Sequence, residues 1–203
     1  MICAVVLAAG RSQRMRTQKL LLPLGGKPVI ALVVDEILRG PVERVRVVVG
    51  ADSERIKGAL AGRAVTFILN PDLEGDMLSS VRCGLRSLPA ACEAVLVVLG
   101  DQPTIRAELI SDIVQSYRKL KRGIIVPTYL GRHGHPMLFA ARFCDEVLER
   151  FDTVGLRGLL RSHADEVLEL GVAAPTVLED MDTPEDYERH RARTASNSQQ
   201  HSS

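Results

Sequence analysis

Tryptophan is absent from this 203-residue chain, and aromatic residues make up only 3% of it. That scarcity excludes the stacked aromatic platforms on which single-stranded nucleic acids are bound. An excess of one charge sign is missing too: 26 Lys and Arg face 25 Asp and Glu, a formal net charge of +1. No long-range field draws the chain to nucleic acid or to an acidic membrane, so an anionic ligand must be held by local groups. The four cysteines, Cys3, Cys83, Cys92 and Cys144, contain no CxxC pair, which removes the spacing of a zinc site or a disulfide framework. They are expected as reduced, buried thiols of a cytoplasmic protein. Residues 1–10 are apolar but too few to cross a membrane, and they lack the basic leader of a signal peptide. They read as a first buried strand.

What the chain does contain is aliphatic. Hydrophobic residues are 46% and charged residues 25%, the composition of an ordinary globular domain, and the length suits one domain with a substantial core. Short, β-branched, nearly continuous apolar runs at residues 2–7, 45–49, 65–69, 94–99 and 124–126 suit strands covered on both faces, as in a parallel sheet. Between them lie helix-period stripes: Ile30, Val33, Val34, Ile37 and Leu38, then Ile110, Ile113, Val114 and Tyr117. Gly40-Pro41 is expected to end the first helix, Gly as its cap and Pro as a residue that cannot continue it. The alternation predicts an α/β fold, a single three-layer Rossmann-like domain with a mostly parallel central sheet. Beyond residue 127 the pattern weakens. Residues 128–136 suggest a loop or hairpin, and Phe143, Val147, Leu148 and Phe151 mark a helix, as do Leu156, Leu159 and Leu160. Residues 183–193 form a last helix, with Thr183 as N-cap, Pro184 at its first position and Glu185-Asp186 in its first turn. The domain is expected over 1–193, with 194–203 a disordered polar tail.

Chemistry concentrates at strand ends. After the first strand comes Leu7-Ala8-Ala9-Gly10-Arg11-Ser12-Gln13-Arg14-Met15, then Lys19. Small residues let backbone N–H groups approach phosphate oxygens, and Arg11, Arg14 and Lys19 add charge-assisted partners. Taken alone this is also what a tight turn beside a solvated basic face looks like. The loop matches neither GxxxxGK[ST] nor GxGxxG, which disfavours a kinase or a dehydrogenase. A second motif, Gly100-Asp101-Gln102-Pro103, follows the most apolar strand, so its carboxylate points to the same crevice, where Mg²⁺ takes one or two carboxylates plus phosphate oxygens. A third, Asp180-Met181-Asp182-Thr183-Pro184, places two acids at i and i+2, where both can approach one metal. Asp182 is the preferred second ligand and Asp180 the alternative. His133 and His135 are too few for a metal site; His133 is expected to bond locally, Met77 to pack at a helix start, and Lys121-Arg122 to be solvated surface.

The ordered set LAAGRSQRM…KLLLPLGGKP, NPDLEGDMLSS, GDQP, GRHGHPMLF and DMDTPEDY resembles the molybdenum cofactor nucleotidyltransferase family, and within it the cytidylyltransferase branch. The likeness runs from Ile2 to about His190. It implies that Leu7, Ala8, Ala9, Gly10, Arg11, Ser12 and Arg14 hold the triphosphate and that Lys19 neutralises charge in the transition state, with Lys19, Asp101 and Arg14 the catalytic set. Asp101 and Asp182 would bind Mg²⁺. Asn70, Ser79 and Ser80 would contact the base and sugar, and Gly134, His135 and Pro136 the pterin acceptor. LAAG rather than LAGG accompanies CTP rather than GTP in this family. Arg16 stands where the family usually has Gly, which bears on the path of the loop.

The implied reaction is attack by the terminal phosphate of molybdenum-molybdopterin on the α-phosphorus of CTP, making molybdopterin cytosine dinucleotide and pyrophosphate. A molybdoenzyme that receives the product is the implied protein partner. A phosphate nucleophile is ionised at pH 7, in keeping with the absence of a Ser-His-Asp or Cys-His signature. Two other classes stand beside this one. The first is transfer to another acceptor: a GTP-using guanylyltransferase, or an enzyme for a sugar phosphate or methylerythritol phosphate. The second is a non-catalytic carrier of the molybdenum cofactor.

Overall fold

Burial on both faces sets the centre of the molecule. In the computed structural model, which describes residues 1–10, 15, 17–72, 74–120 and 122–200, the run Ile2–Ala8 forms strand β1. Ile2 through Val6 are fully buried. Next come two short strands, β2 (Pro23–Leu24) and β3 (Lys27–Pro28), paired as a separate hairpin. Strand β1 pairs in parallel with β4 (Arg44–Val49) on one side and β6 (Ala94–Leu99) on the other. Strand β5 (Thr66–Leu69) extends the first side. On the other side lie β9 (Met137–Ala140), β7 (Ile124–Tyr129) and β10 (Val167–Gly171), while β8 (Arg132–His133) pairs only with β7. The order is β5-β4-β1-β6-β9-β7-β10. Every neighbour would be parallel but for β9, which runs antiparallel between β6 and β7, and β8.

The alternation along β1 separates two helical layers, because successive side chains point to opposite faces. Ile2, Ala4 and Val6 join a core with α1 (Val29–Arg39), α2 (Ser53–Ala59) and α4 (Ala107–Leu120). Val5 joins one with α3 (Met77–Arg86), α5 (Cys144–Glu149) and α6 (Leu156–Ser162). This is the three-layer, mostly parallel α/β architecture that the hydrophobic pattern predicts. Among the described residues no helix is long and apolar enough to cross a membrane. All four cysteines are free; burial pushes the Cys3 thiol up to about 12 and that of Cys144 up to about 11.

Local differences from the sequence reading have local causes. Gly40 does follow α1, but its φ of −80° is open to any residue. Its requirement is space, since a Cβ there would meet Ile110 Cγ2 of α4 at 2.8 Å. Strand β9 needs its two neighbours to be recognised, because four apolar residues carry no orientation of their own. The last helix, α7, runs Pro184–Gln200, past Arg193, where composition placed the start of a disordered tail. No Gly or Pro interrupts residues 185–200, and Ala, Arg and Gln are good helix formers whether or not they bury a face. At its start Asp186 N donates to Thr183 Oγ1 at 3.3 Å while Asp186 Oδ2 accepts from Thr183 N at 2.9 Å, a reciprocal cap.

Chain order places the ligand crevice. From β1 the chain moves outward through β4 and β5, then crosses back to β6 on the other side of β1. The carboxyl ends of β1 and β6 thus form the switch point at which open α/β sheets bind ligands.

Candidate active site

Two backbone contacts bring the motif residues together at this switch point. Gly100 N donates to Leu7 O at 3.1 Å, and a Cβ on Gly100 would meet that oxygen at 2.7 Å. Glycine is therefore required for the end of β6 to close on the end of β1. Met181 N donates to Asp101 O at 3.1 Å, and the Met181 side chain is fully buried beside Leu24 and Val29. With Met181 anchored inward, Asp180 and Asp182 flank it on the open side.

The result is a charged cluster built from three distant segments. Lys19, in a 3-10 turn (Lys19–Leu21), forms ion pairs with Asp101 and, at 2.7 Å, with Asp182 Oδ1. Burial pulls the Lys19 ammonium down, but the Asp101 carboxylate and then Asp182 outweigh it and hold its pKa above the ordinary lysine value. Lys19 thus carries its full charge at neutral pH. Asp180 is pushed upward, by partial burial first and then by the neighbouring Asp182 and Asp101 carboxylates. Among the described residues no group of three His, Cys, Asp or Glu is arranged to hold an ion by itself.

Two cavities open beside this cluster. The first, of about 280 Å³, is lined by Leu7, Ala9, Gly10, Lys19, Asn70, Ser80, Asp101 and Asp180, among others. The second, of about 520 Å³, is lined by Gln102, Gly134, His135, Arg132, Arg157 and again Asp180. Leu99, Met77 and Asp180 belong to both walls.

Most of the residues singled out in the sequence gather here. Leu7, Ala9, Gly10, Lys19, Asn70, Ser80 and Asp101 line the first cavity, and Gly134 and His135 the second. Ala8 and Pro136 are buried, and neither lines either of these two cavities. Arg11, Ser12, Arg14 and Arg16 lie outside the described residues, as does Lys121. Asn70, Ser79 and Ser80 do meet, chiefly through one another: Asn70 Nδ2 donates to Ser79 Oγ at 2.9 Å and to Ser80 Oγ at 3.1 Å. This knot fixes the start of α3, which Asp76 caps by accepting from Ser79 N at 2.9 Å. Met77 does not pack inward; it is 45% exposed on the shared wall. His133 bonds across the sheet rather than locally, its Nε2 lying 2.8 Å from Glu169 Oε1 of β10. Gln102 stands inside the GDQP motif without a charge to mark it in the sequence, and the structure places it in the wall of the second cavity.

His135 is held by its backbone, with N donating to Val177 O at 2.9 Å, and a cis peptide bond joins it to Pro136. Burial pushes the imidazole pKa below its ordinary value, against a smaller upward pull from Asp101 and the Val97 backbone.

Residues 4–167 match the family model described as the MobA-like NTP transferase domain. The bifunctional protein GlmU of Burkholderia lata is 33% identical over 152 residues, covering 73% of this chain and 33% of GlmU. The chain thus matches only about a third of that curated relative's length. Among solved structures, Rv0371c from Mycobacterium tuberculosis H37Rv superimposes with a TM-score of 0.80 at 27% identity, over 93% of this chain and 96% of that one. Rv0371c has also been solved in complex with manganese. A nucleotidyl transferase from Methanothermobacter shares the fold, with a TM-score of 0.84 at 23% identity over 97% and 99% of the two chains.

Proposed function

We propose a specific reaction for this chain, which belongs to the MobA-like NTP transferase domain family: transfer of CMP from CTP to the terminal phosphate of molybdenum-molybdopterin, with release of pyrophosphate. The observation that carries the reading is the pair of cavities sharing Leu99, Met77 and Asp180, with the Lys19–Asp101–Asp182 cluster beside that wall. Two substrates that must exchange a phosphoryl-linked group need two pockets that meet at a charged junction.

In the first cavity the triphosphate would lie along Leu7, Ala9 and Gly10, with Ala8 buried behind them and Arg11, Ser12 and Arg14 as further partners. Asn70, Ser79 and Ser80 would shape the base and sugar end. Ala9 lines this cavity, and its methyl group would take space from a larger purine, which supports CTP over GTP. Gly134 and His135, backed by Pro136, would receive the acceptor in the second cavity. Arg132 and Arg157 line that cavity without an ion pair to any described residue, which supports an anionic acceptor.

An acceptor phosphate oxygen would attack the α-phosphorus in line, the Pα–O bond to the β-phosphate would break, and pyrophosphate would carry away the electron pair. The nucleophile is ionised at neutral pH, so no side chain need take its proton. Lys19, fully charged, would stabilise the negative charge that builds on the phosphate oxygens. The donor set is carboxylate oxygen, which suits a hard divalent cation completed by phosphate oxygens. Asp101 with Asp182 would hold Mg²⁺, which when bound supplies further positive charge to the triphosphate. That Rv0371c was solved in complex with manganese supports use of a divalent cation by this chain.

Pyrophosphate release with Mg²⁺ and each of CTP, GTP, ATP and UTP, with and without molybdenum-loaded molybdopterin, tests the reading. Release with CTP only in the presence of that acceptor is expected. Release with GTP instead overturns the base, release with methylerythritol phosphate or a sugar phosphate overturns the acceptor, and stoichiometric binding with no release points to a carrier.

A further inference from the structure

Gln102, in the wall of the second cavity, carries a buried polar atom that the fold leaves without a partner. Gln102 follows Asp101 directly and is 2% exposed. Its Nε2 donates to Val177 O at 3.4 Å. A carbonyl oxygen can only accept, so this contact fixes which way the amide is turned and sends Oε1 the other way. Oε1 is buried and has no hydrogen-bond partner. His135 Nδ1 is likewise buried and unpartnered, and His135 is tied to the same Val177 carbonyl through its backbone N–H. Gln102 and His135 line one cavity. Its remaining wall mixes apolar side chains, among them Leu99, Val126, Met137 and Leu156, with the charged Arg132, Arg157 and Asp180.

Native interiors satisfy nearly all of their buried polar atoms, and an exception in the wall of a functional cavity calls for a group that completes it. An amide oxygen accepts and does not donate. A ligand group that completes Gln102 must therefore present an N–H or an O–H.

We propose that Gln102 is a specificity-determining residue of the acceptor cavity, its Oε1 accepting a hydrogen bond from an N–H or O–H group of the acceptor. His135 Nδ1 offers a second polar contact alongside. The acceptor class is then a phosphorylated molecule whose phosphate suits Arg132 and Arg157 and whose body carries such a donor, a hydroxyl or a ring N–H rather than a bare hydrocarbon. This rests on the transferase reading above and deepens it, because it assigns acceptor choice to a residue outside the Gly134–His135–Pro136 element.

The experiment compares the full-length chain with Gln102→Met, which keeps the length and removes both the Oε1 acceptor and the long Nε2 contact to Val177 O. Steady-state pyrophosphate release is measured with CTP and whichever of molybdenum-molybdopterin, methylerythritol phosphate and glucose 1-phosphate supports turnover, and melting temperature is measured without substrates. The acceptor KM is expected to rise roughly 10- to 100-fold, the value of a buried hydrogen bond left unmade, with the CTP KM within about twofold. Because Oε1 has no partner in the free protein and Val177 O keeps His135 N as a donor at 2.9 Å when the long Nε2 contact is lost, the melting temperature should hold. An unchanged acceptor KM in Gln102→Met overturns this inference and leaves the transferase reading standing. A rise in both KM values together with a lowered melting temperature assigns Gln102 a structural role and overturns it too. Absence of turnover in the folded wild-type chain with all three acceptors removes the transferase reading, and the inference with it.

Discussion

Lys19 and Asp182 stand 163 residues apart in sequence, yet Lys19 Nζ donates to Asp182 Oδ1 at 2.7 Å. The contact closes the crevice by tying the segment after β1 to the segment before α7, and Asp101 completes it from the end of β6.

Replacing Lys19 by Ala leaves Asp101 and Asp182 facing each other with their shared cation gone. Turnover should fall by roughly 10²- to 10³-fold, the cost of losing one preorganised charge. The melting temperature should also fall and recover more with added Mg²⁺ than that of the wild type, since a bound cation stabilises the folded state by mass action. Thermal scans with and without Mg²⁺ check the second point, and wild-type turnover in the variant would contradict the first.

Asp101→Ala should be folded and nearly inactive, with a loss of the same order, roughly 10²- to 10³-fold. Its backbone carbonyl, which accepts from Met181 N, survives the substitution. A circular dichroism spectrum matching the wild type, paired with loss of pyrophosphate release, is the expected result.

Asp180 gives a pH signature. Its folded pKa lies above the ordinary aspartate value, from partial burial and then Asp182 and Asp101. The folded protein thus binds this proton more tightly than the unfolded chain, and stability is lost as pH rises from the unfolded pKa through the folded one. Asp180→Asn should melt higher than the wild type at pH 7, and the gain should vanish below the carboxylate range. An identical gain at both pH values would show that charge is not the cause.

Gly84 of α3 lies against β1, and a Cβ there would collide with Val5 Cγ1. Gly84→Ala should cost about 1–3 kcal/mol as an overpacked core, a drop of several degrees in melting temperature for a chain of this size. Because α3 carries Ser79 and Ser80, the CTP KM should rise with it.

Ala9→Gly tests base choice. Removing the methyl group should lower the ratio of CTP to GTP kcat/KM by about tenfold, the scale of one methyl in a pocket. A ratio unchanged in the variant would assign base choice to other residues.

Much of the frame was legible in the residues because its signals are local. The runs that became β1, β4 and β6 could be found from β-branched content alone, and Thr183-Pro184 marked the start of α7 through a cap that spans four residues. Asp101 and Lys19 could be chosen because each follows a strand and strand ends share one edge of a parallel sheet. Strand β9 and the cavity contacts of Met77 and Gln102 could not be found this way, since each depends on a neighbour far along the chain.

The linear order of apolar runs, small residues and carboxylates determined the layered α/β fold and the edge of the sheet where its chemistry gathers, because hydrophobic period and turn residues act within a few positions. Only the tertiary structure decided that Lys19 is paired with Asp101 and Asp182, that two cavities share one wall, and that Gln102 keeps an unpaired oxygen in the second. Those relationships are distances between segments, set by how strands cross and helices pack, and a distance across the core has no signature in any short stretch of chain.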